Sequence, residues 1–167
     1  MNFVRSYSGK AALTAMLVAL LALAGCATSS SQRPVQVRAE LSAAADINPD
    51  ANKRASPLVV RVFELRNDAA FNGADFWALY ERERQTLGDS LIEREEFVLQ
   101  PGAKQELRLS IARDTRFLAV IAAYRDIGAV RWRALSKAPR RTTTDVFSRD
   151  RVTIDAGRGG ITLSIKD

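Results

Sequence analysis

The sequence predicts a mainly β protein, a sandwich of short strands interrupted once by helix. Three observations lead there. Apolar residues alternate with polar ones, or cluster, in short runs of the length that strands take. Turn-forming Gly, Pro, Asn and Asp separate those runs. One stretch alone, between Asn67 and Ile92, repeats its aromatic and aliphatic residues at helical spacing. The chain has 167 residues, which suits one domain, and 47% apolar residues, enough for a proper core.

The strands follow in order. Val35, Val37, Ala39, Leu41 and Ala43 alternate with mostly polar neighbours, the pattern of a half-buried strand. Leu58 to Leu65 (LVVRVFEL) is more continuously apolar and belongs nearer a sheet centre. Glu96 to Leu99 is a third strand, turned by Pro101-Gly102 into a fourth carrying Gln105, Leu107 and Leu109. Phe117 to Tyr124 (FLAVIAAY) reads as a buried strand, paired with Val130 to Ala134 (VRWRA) across Asp126-Ile127-Gly128. Arg151–Asp155 and Ile161–Ile165 form a closing hairpin around Gly157, Gly159 and Gly160. The helical insertion, at about residues 68–92, falls between the second and third strands; Asn72 is its predicted cap and Gly88 its stop. Trp77 and Trp132 are assigned to the core, and Arg61, Arg131 and Arg133 to a solvent-facing sheet surface.

Ahead of the domain lies an address. Residues 1–25 hold Arg5 and Lys10 with no acid, and the apolar run Ala11 to Ala24 is shorter than the roughly 20 residues of a membrane-crossing helix. A basic start, a short apolar stretch and a small-residue exit form a secretory signal. The exit, Leu23-Ala24-Gly25-Cys26, resembles the bacterial lipobox. That resemblance implies diacylglycerol on the thiol and cleavage that leaves Cys26 as the first residue. Acylation also accounts for an odd cysteine count, since the chain has 1 Cys. Alanine at position 27, where enteric-type sorting uses aspartate to retain lipoproteins in the inner membrane, implies the outer membrane. Residues 26–34 are then the acylated N-terminus and a tether, and 35–167 the domain. The eight residues 27–34 extend at most about 28 Å.

The charge is +6 overall; beyond the first 25 residues, 23 basic residues face 19 acidic ones, a net of +4. Bases and acids interleave in ERERQ and IEREEF, as on a solvated surface. Nucleic acid is not expected as a partner in the periplasm.

The absence of histidine removes Ser-His-Asp and Cys-His catalysis and the common zinc sites. No glycine-rich phosphate loop is present. Glu93, Glu95 and Glu96 form the one carboxylate group near in sequence that suggests an alternative function, acting on or binding peptidoglycan, because paired acids cleave glycosidic bonds. Asp46 to Asn52 place oxygen side chains at alternate positions, as an EF-hand loop begins, but Ala51 and Pro57 stand where its glycine and glutamate belong. An Asx- and proline-rich connection is the better reading, with no metal or small-molecule substrate expected. At about a dozen residues (Ala45–Pro57) it is far longer than a tight turn, and such loops carry function on a rigid scaffold.

A family resemblance joins these pieces. Asn48-Pro49-Asp50, Ser56 to Val62, Ala70-Phe71, Ala74-Asp75-Phe76, Leu87-Gly88, Leu99 with Pro101-Gly102, Ala122 to Arg125 and Arg131-Trp132-Arg133, in this order behind a lipobox, resemble TssJ, the outer-membrane lipoprotein of bacterial type VI secretion. The resemblance covers about Cys26 to Ala134. It implies a transthyretin-like antiparallel β-sandwich with a helical addition and no enzymatic activity. It further implies an outer-membrane, periplasm-facing link to the periplasmic C-terminal region of TssM, gripped by the loop between the first two strands. On this chain the partner-binding residues are then Asp46, Ile47, Asn48, Pro49, Asp50, Asn52, Lys53, Arg54 and Ser56, with Asn48, Pro49 and Asp50 at the tip and Arg54 paired with an acid of the partner. Lys53 departs from the family, standing where a glycine is expected. The lipid on Cys26 is the only cofactor implied.

Overall fold

The computed structural model describes residues 34–139 and 147–166. The expected secretion signal and residues 26–33 of the expected tether, Cys26 among them, lie outside the described residues. Among the described residues, eight strands form two four-stranded sheets. One has the order β4-β1-β7-β8, from Lys104–Ile111, Val35–Ala43, Phe147–Gly157 and Gly160–Lys166. The other has the order β3-β2-β5-β6, from Leu91–Leu99, Leu58–Leu65, Phe117–Ala122 and Arg133–Lys137. Neighbours run antiparallel, except that β1 and β7 are parallel. Between β2 and β3 come three short helices, α1 (Ala69–Gly73), α2 (Phe76–Glu81) and α3 (Glu83–Leu87), and a 3-10 turn at Gly88–Ser90.

The alternation of β1 sends Val35, Val37, Ala39, Leu41 and Ala43 inward, where they meet Leu58, Val60, Val62, Leu118, Val120 and Ala122 of the facing sheet. The continuous apolar run of β2 has a second cause. Its other face, with Phe63 and Leu65, joins Ala119 and Ile121 beneath the helices, against Phe71, Phe76, Leu79 and Leu87. A strand buried on both sides cannot alternate. The helices therefore make a third layer. Each of their buried side chains contributes about 1.5–3 kcal/mol by leaving water.

That layer corrects several expectations. Arg61 is not on a solvated face: its side chain is only 13% exposed, pairs with Glu96 at 2.7 Å and Glu83 at 3.5 Å, donates to the Tyr80 carbonyl, and lies over the Tyr80 ring. Arg133 donates to the carbonyls of Phe71 and Ala74, fastening α1 to the sheet. Arg131 alone of the three is exposed. Trp77 is 55% exposed, its ring edge-on to Phe76, so it is not core. Trp132 is half-buried against both apolar clusters. The helix cap is Asp75, which accepts from the Ala78 N–H at 2.8 Å, whereas Asn72 sits inside α1.

Several strands differ in extent: β5 ends at Ala122, two residues before the predicted end, and β7 spans Phe147–Gly157, longer at both ends than the predicted Arg151–Asp155. β3 begins at Leu91, five residues before the predicted start, because Glu93–Glu96 make a charged edge strand of the kind that resists further pairing. β6 starts at Arg133, and Ile121 pairs with Arg133, so the apolar run continuing through Leu135 sets the register. Arg131 instead bridges to Gly160. Gly160 has φ +133, and a Cβ there would lie 2.3 Å from the Arg131 carbonyl oxygen, so only glycine permits this seam between the sheets.

Candidate functional site: the loop between the first two strands

Residues 44–57 link the two sheets at one end of the sandwich. They form no helix or strand, yet nearly every turn is fixed. Ile47 is the peg, fully buried in the inter-sheet core. Asn48, 5% exposed, is the brace: its side-chain amide donates to the Pro57 carbonyl at 2.8 Å, and its oxygen accepts the Arg125 N–H at 2.8 Å. Asn48 has φ +47, a left-handed conformation that asparagine tolerates better than most residues. The Ser56 N–H donates to the Ile47 carbonyl at 3.1 Å and closes the base. Beside it, Tyr124 donates to the Gly157 carbonyl at 2.9 Å, and burial pushes its phenol up to about 12.

Above the base the chain turns on Asp50. Its carboxylate accepts from the N–H groups of Asn52 and Arg54, both at 2.9 Å, and from the Arg54 guanidinium at 2.8 Å through two nitrogens. The Arg54 N–H, its guanidinium and the Asn52 N–H hold this carboxyl below its usual range. Backbone bonds from Asp50 to Arg54 and from Lys53 to Asp50 complete the turn. Lys53 takes φ +62. It adopts the left-handed conformation for which a glycine at this position is suited.

The placement reorders the predicted residues. Ala51 to Ala55, Asn52, Lys53 and Arg54 among them, form the exposed tip; Pro49 and Asp50 are half-buried. Asn48 is therefore not at the tip, and Ile47, Asn48 and Ser56 shape the loop from within. Arg54 is paired inside the loop with Asp50, though its side chain remains 76% exposed. Asp46 is exposed and lies 3.5 Å from Arg158. Arg125 and Tyr124 were not legible as parts of the site. Arg125 acts through its backbone N–H, which any residue but proline supplies.

The alternative carboxylate group does not assemble. Along β3, Glu96 points to the helix side and pairs with Arg61 and Arg94, while Glu93 and Glu95 point the other way. Burial, then the charges of Glu64 and Glu93, raise the Glu95 carboxyl. The slit it shares with Val62, Leu109 and Leu118 holds about 10 Å³, room for one water molecule and not for a sugar. Among the described residues no group of acids, cysteines or histidines is placed to hold a metal, and no helix is long and apolar enough to cross a membrane.

A two-sheet sandwich with a helical side layer and a braced inter-sheet loop defines a β-rich scaffold class. Residues 35–158 match the family model described as Type VI secretion lipoprotein, VasD, EvfM, TssJ. The chain belongs to this family. It is similar to the type VI lipoprotein TssJ1 from Pseudomonas aeruginosa, with 34% identity and TM-score 0.72 over 80% of this chain and 98% of that one. It is also similar to Lip from Serratia marcescens, a membrane-bound component of the type VI secretion system, with 29% identity and TM-score 0.69 over 80% and 99%. A chain in a structure described as the TssM C-terminal domain from EAEC matches at 20% identity and TM-score 0.57, over 79% of this chain and 98% of that one; this shows the fold alone. No curated protein matches by sequence.

Proposed function

We propose that this chain is a non-catalytic lipoprotein of the outer membrane, acylated on Cys26, that holds the periplasmic region of TssM through residues 46–56. The observation that carries the reading is the loop itself. Its shape is set by buried Ile47 and Asn48 and by the Asp50 turn, while Asn52, Lys53 and Arg54 face outward. A preformed tip binds without the cost of ordering a floppy segment. The family assignment and the lipobox at Leu23–Cys26 support the envelope setting.

The test is titration of residues 27–167 against the periplasmic region of the cognate TssM. Saturable binding in the micromolar range, roughly −8 kcal/mol, is expected. Replacing Ala51–Arg54 by Gly and Ser, with Ile47, Asn48 and Ser56 kept, removes it while the thermal melt is preserved. Unchanged affinity in that folded variant refutes the loop assignment. Cys26→Ser releases the chain from the membrane fraction if the anchor reading is right.

A further inference from the structure

The two outer faces of the sandwich differ: helices cover one, and the other, on β4-β1-β7-β8, bears charges sorted along the strand direction. Register places Arg108 opposite Arg38, Arg38 opposite Arg151, and Arg151 opposite Lys166. Four cations thus form one row across all four strands, and all four are exposed. Like charges directly opposite oppose strand pairing, and Glu40, 3.9 Å from Arg151, offsets part of that repulsion on this face. The acids lie on the side toward the loop. The next row holds Glu106 and Glu40, followed by Thr153 and Ser164, and the row beyond holds Lys104, Ser42, Asp155 and Thr162. Glu40 is shared between Lys104 at 3.0 Å and Arg151 at 3.9 Å.

The row's position matters as much as its charge. Arg38 lies three residues from Val35, about 10 Å at roughly 3.3 Å per residue, at the end of β1 where the chain enters the domain. The eight residues between Cys26 and Val35 reach at most about 28 Å. The loop of residues 44–57 leaves from the opposite end of β1.

We propose that the Arg108–Arg38–Arg151–Lys166 row is a membrane-docking surface that rests on anionic phosphate headgroups of the bilayer to which the chain is tethered. It would orient the sandwich so that the loop is carried at the end remote from the tether. The proposal rests on the reading that Cys26 is acylated. Each cation near an anionic surface raises partitioning about fivefold, so four suffice for contact, though not for anchoring, once the tether keeps them close.

Among the described residues every buried core side chain lies between Val35 and Ile161, so residues 27–167 carry that core without the acyl chain. This chain is sedimented with millimolar lipid vesicles of phosphatidylcholine, with and without phosphatidylglycerol. Uptake is expected only with phosphatidylglycerol, and its loss at about 0.5 M salt. Arg38→Gln with Arg151→Gln lowers partitioning about thirtyfold. Arg82→Gln with Arg84→Gln, equal in charge but on the helical layer, leaves it within about twofold. Equal loss in both variants, or none in the first, overturns the proposal. Absence of uptake, with the Arg38/Arg151 variant instead weakening TssM binding in a salt-dependent way, assigns the row to an acidic protein surface and also overturns it. No outcome depends on acylation, which a mass measurement on the membrane-extracted chain decides separately.

Discussion

The two long connections flanking β2 are built on opposite principles. Residues 66–90, on one side, fold by apolar burial: Phe71, Phe76, Leu79 and Leu87 are each at most 5% exposed and cement three short helices to the sheet. Residues 44–57, on the other, bury one apolar side chain, Ile47, and otherwise fold on polar contacts, within the loop and to Arg125, Ala156, Gly102 and Arg158. A close-packed connection constrains nearly every side chain it contains. A hydrogen-bonded one fixes its shape from below and leaves its outward side chains free to vary. The second design suits recognition, because Asn52 and Lys53 hold the turn through their backbone N–H groups and leave their side chains to vary, whereas Arg54 also ties the turn to Asp50.

The largest effect should come from the packed connection. Phe71→Ala empties a site that is 1% exposed and in tilted ring contact with Phe63, and we expect a loss of about 3–5 kcal/mol. In a thermal melt this lowers Tm by more than about 10 °C. Ile47→Ala, although equally buried, should cost nearer about 2 kcal/mol, because a loop can release one peg without opening the sandwich. Hydrogen exchange separates the cases: Phe71→Ala exposes amides throughout, Ile47→Ala only those of residues 47–56. Equal melts and global exchange in both variants would erase the distinction between the connections.

The same contrast explains what the sequence disclosed. Strands with one buried face, such as β1, announced themselves by alternation, and β2 did so by length of apolar run. The helical layer was legible from Phe71, Phe76 and Leu79, but its consequence for the sheet below was not. Arg61 and Arg133 looked like surface residues because charge is a poor sign of exposure once a helix supplies carbonyls to receive it. In the loop, length and composition marked out the long connection that joins β1 to β2. The division into peg, brace and tip was hidden, because it depends on Arg125, which is 77 residues from Asn48. A hydrogen bond across that separation leaves no local pattern.

Asn48 offers the next test, one step smaller. Asn48→Ala strands the Arg125 N–H and the Pro57 carbonyl together, and about 1–2 kcal/mol should be lost in urea unfolding. Asn48→Asp keeps the acceptor for Arg125 and loses the donor to Pro57, so it should fall between. Equal stability of wild type and Asn48→Ala would mean that the loop is held by Ile47 alone. Acid probes the Asp50 turn in the same spirit. Its folded carboxyl titrates below the ordinary 3.8, so its contribution is complete above 3.8 and is lost as pH falls through the folded value. The amide signals of Asn52 and Arg54 should therefore shift in NMR in that window before the sandwich melts. Tyr124 gives the opposite limb. Its phenol, raised to about 12, makes stability fall between pH 10 and 12, and Tyr124→Phe should flatten that limb.

Lys53 carries the smallest effect and the finest distinction. A lysine at φ +62 bears a backbone cost that glycine avoids, while glycine adds conformational freedom to the unfolded chain. The balance favours Lys53→Gly by about 0.5–1 kcal/mol, and Lys53→Val, β-branched in a left-handed position, should cost about 1–2 kcal/mol. Stability alone would not reveal why this chain keeps a lysine there. Lys53→Asn tolerates the same backbone and, like glycine, removes the charge. If both variants are at least as stable as wild type yet bind TssM several-fold more weakly, the ammonium is a contact, and the loop accepts strain to present it. If both bind as wild type does, the charge is incidental and recognition rests on the shape set by Asn48 and Asp50.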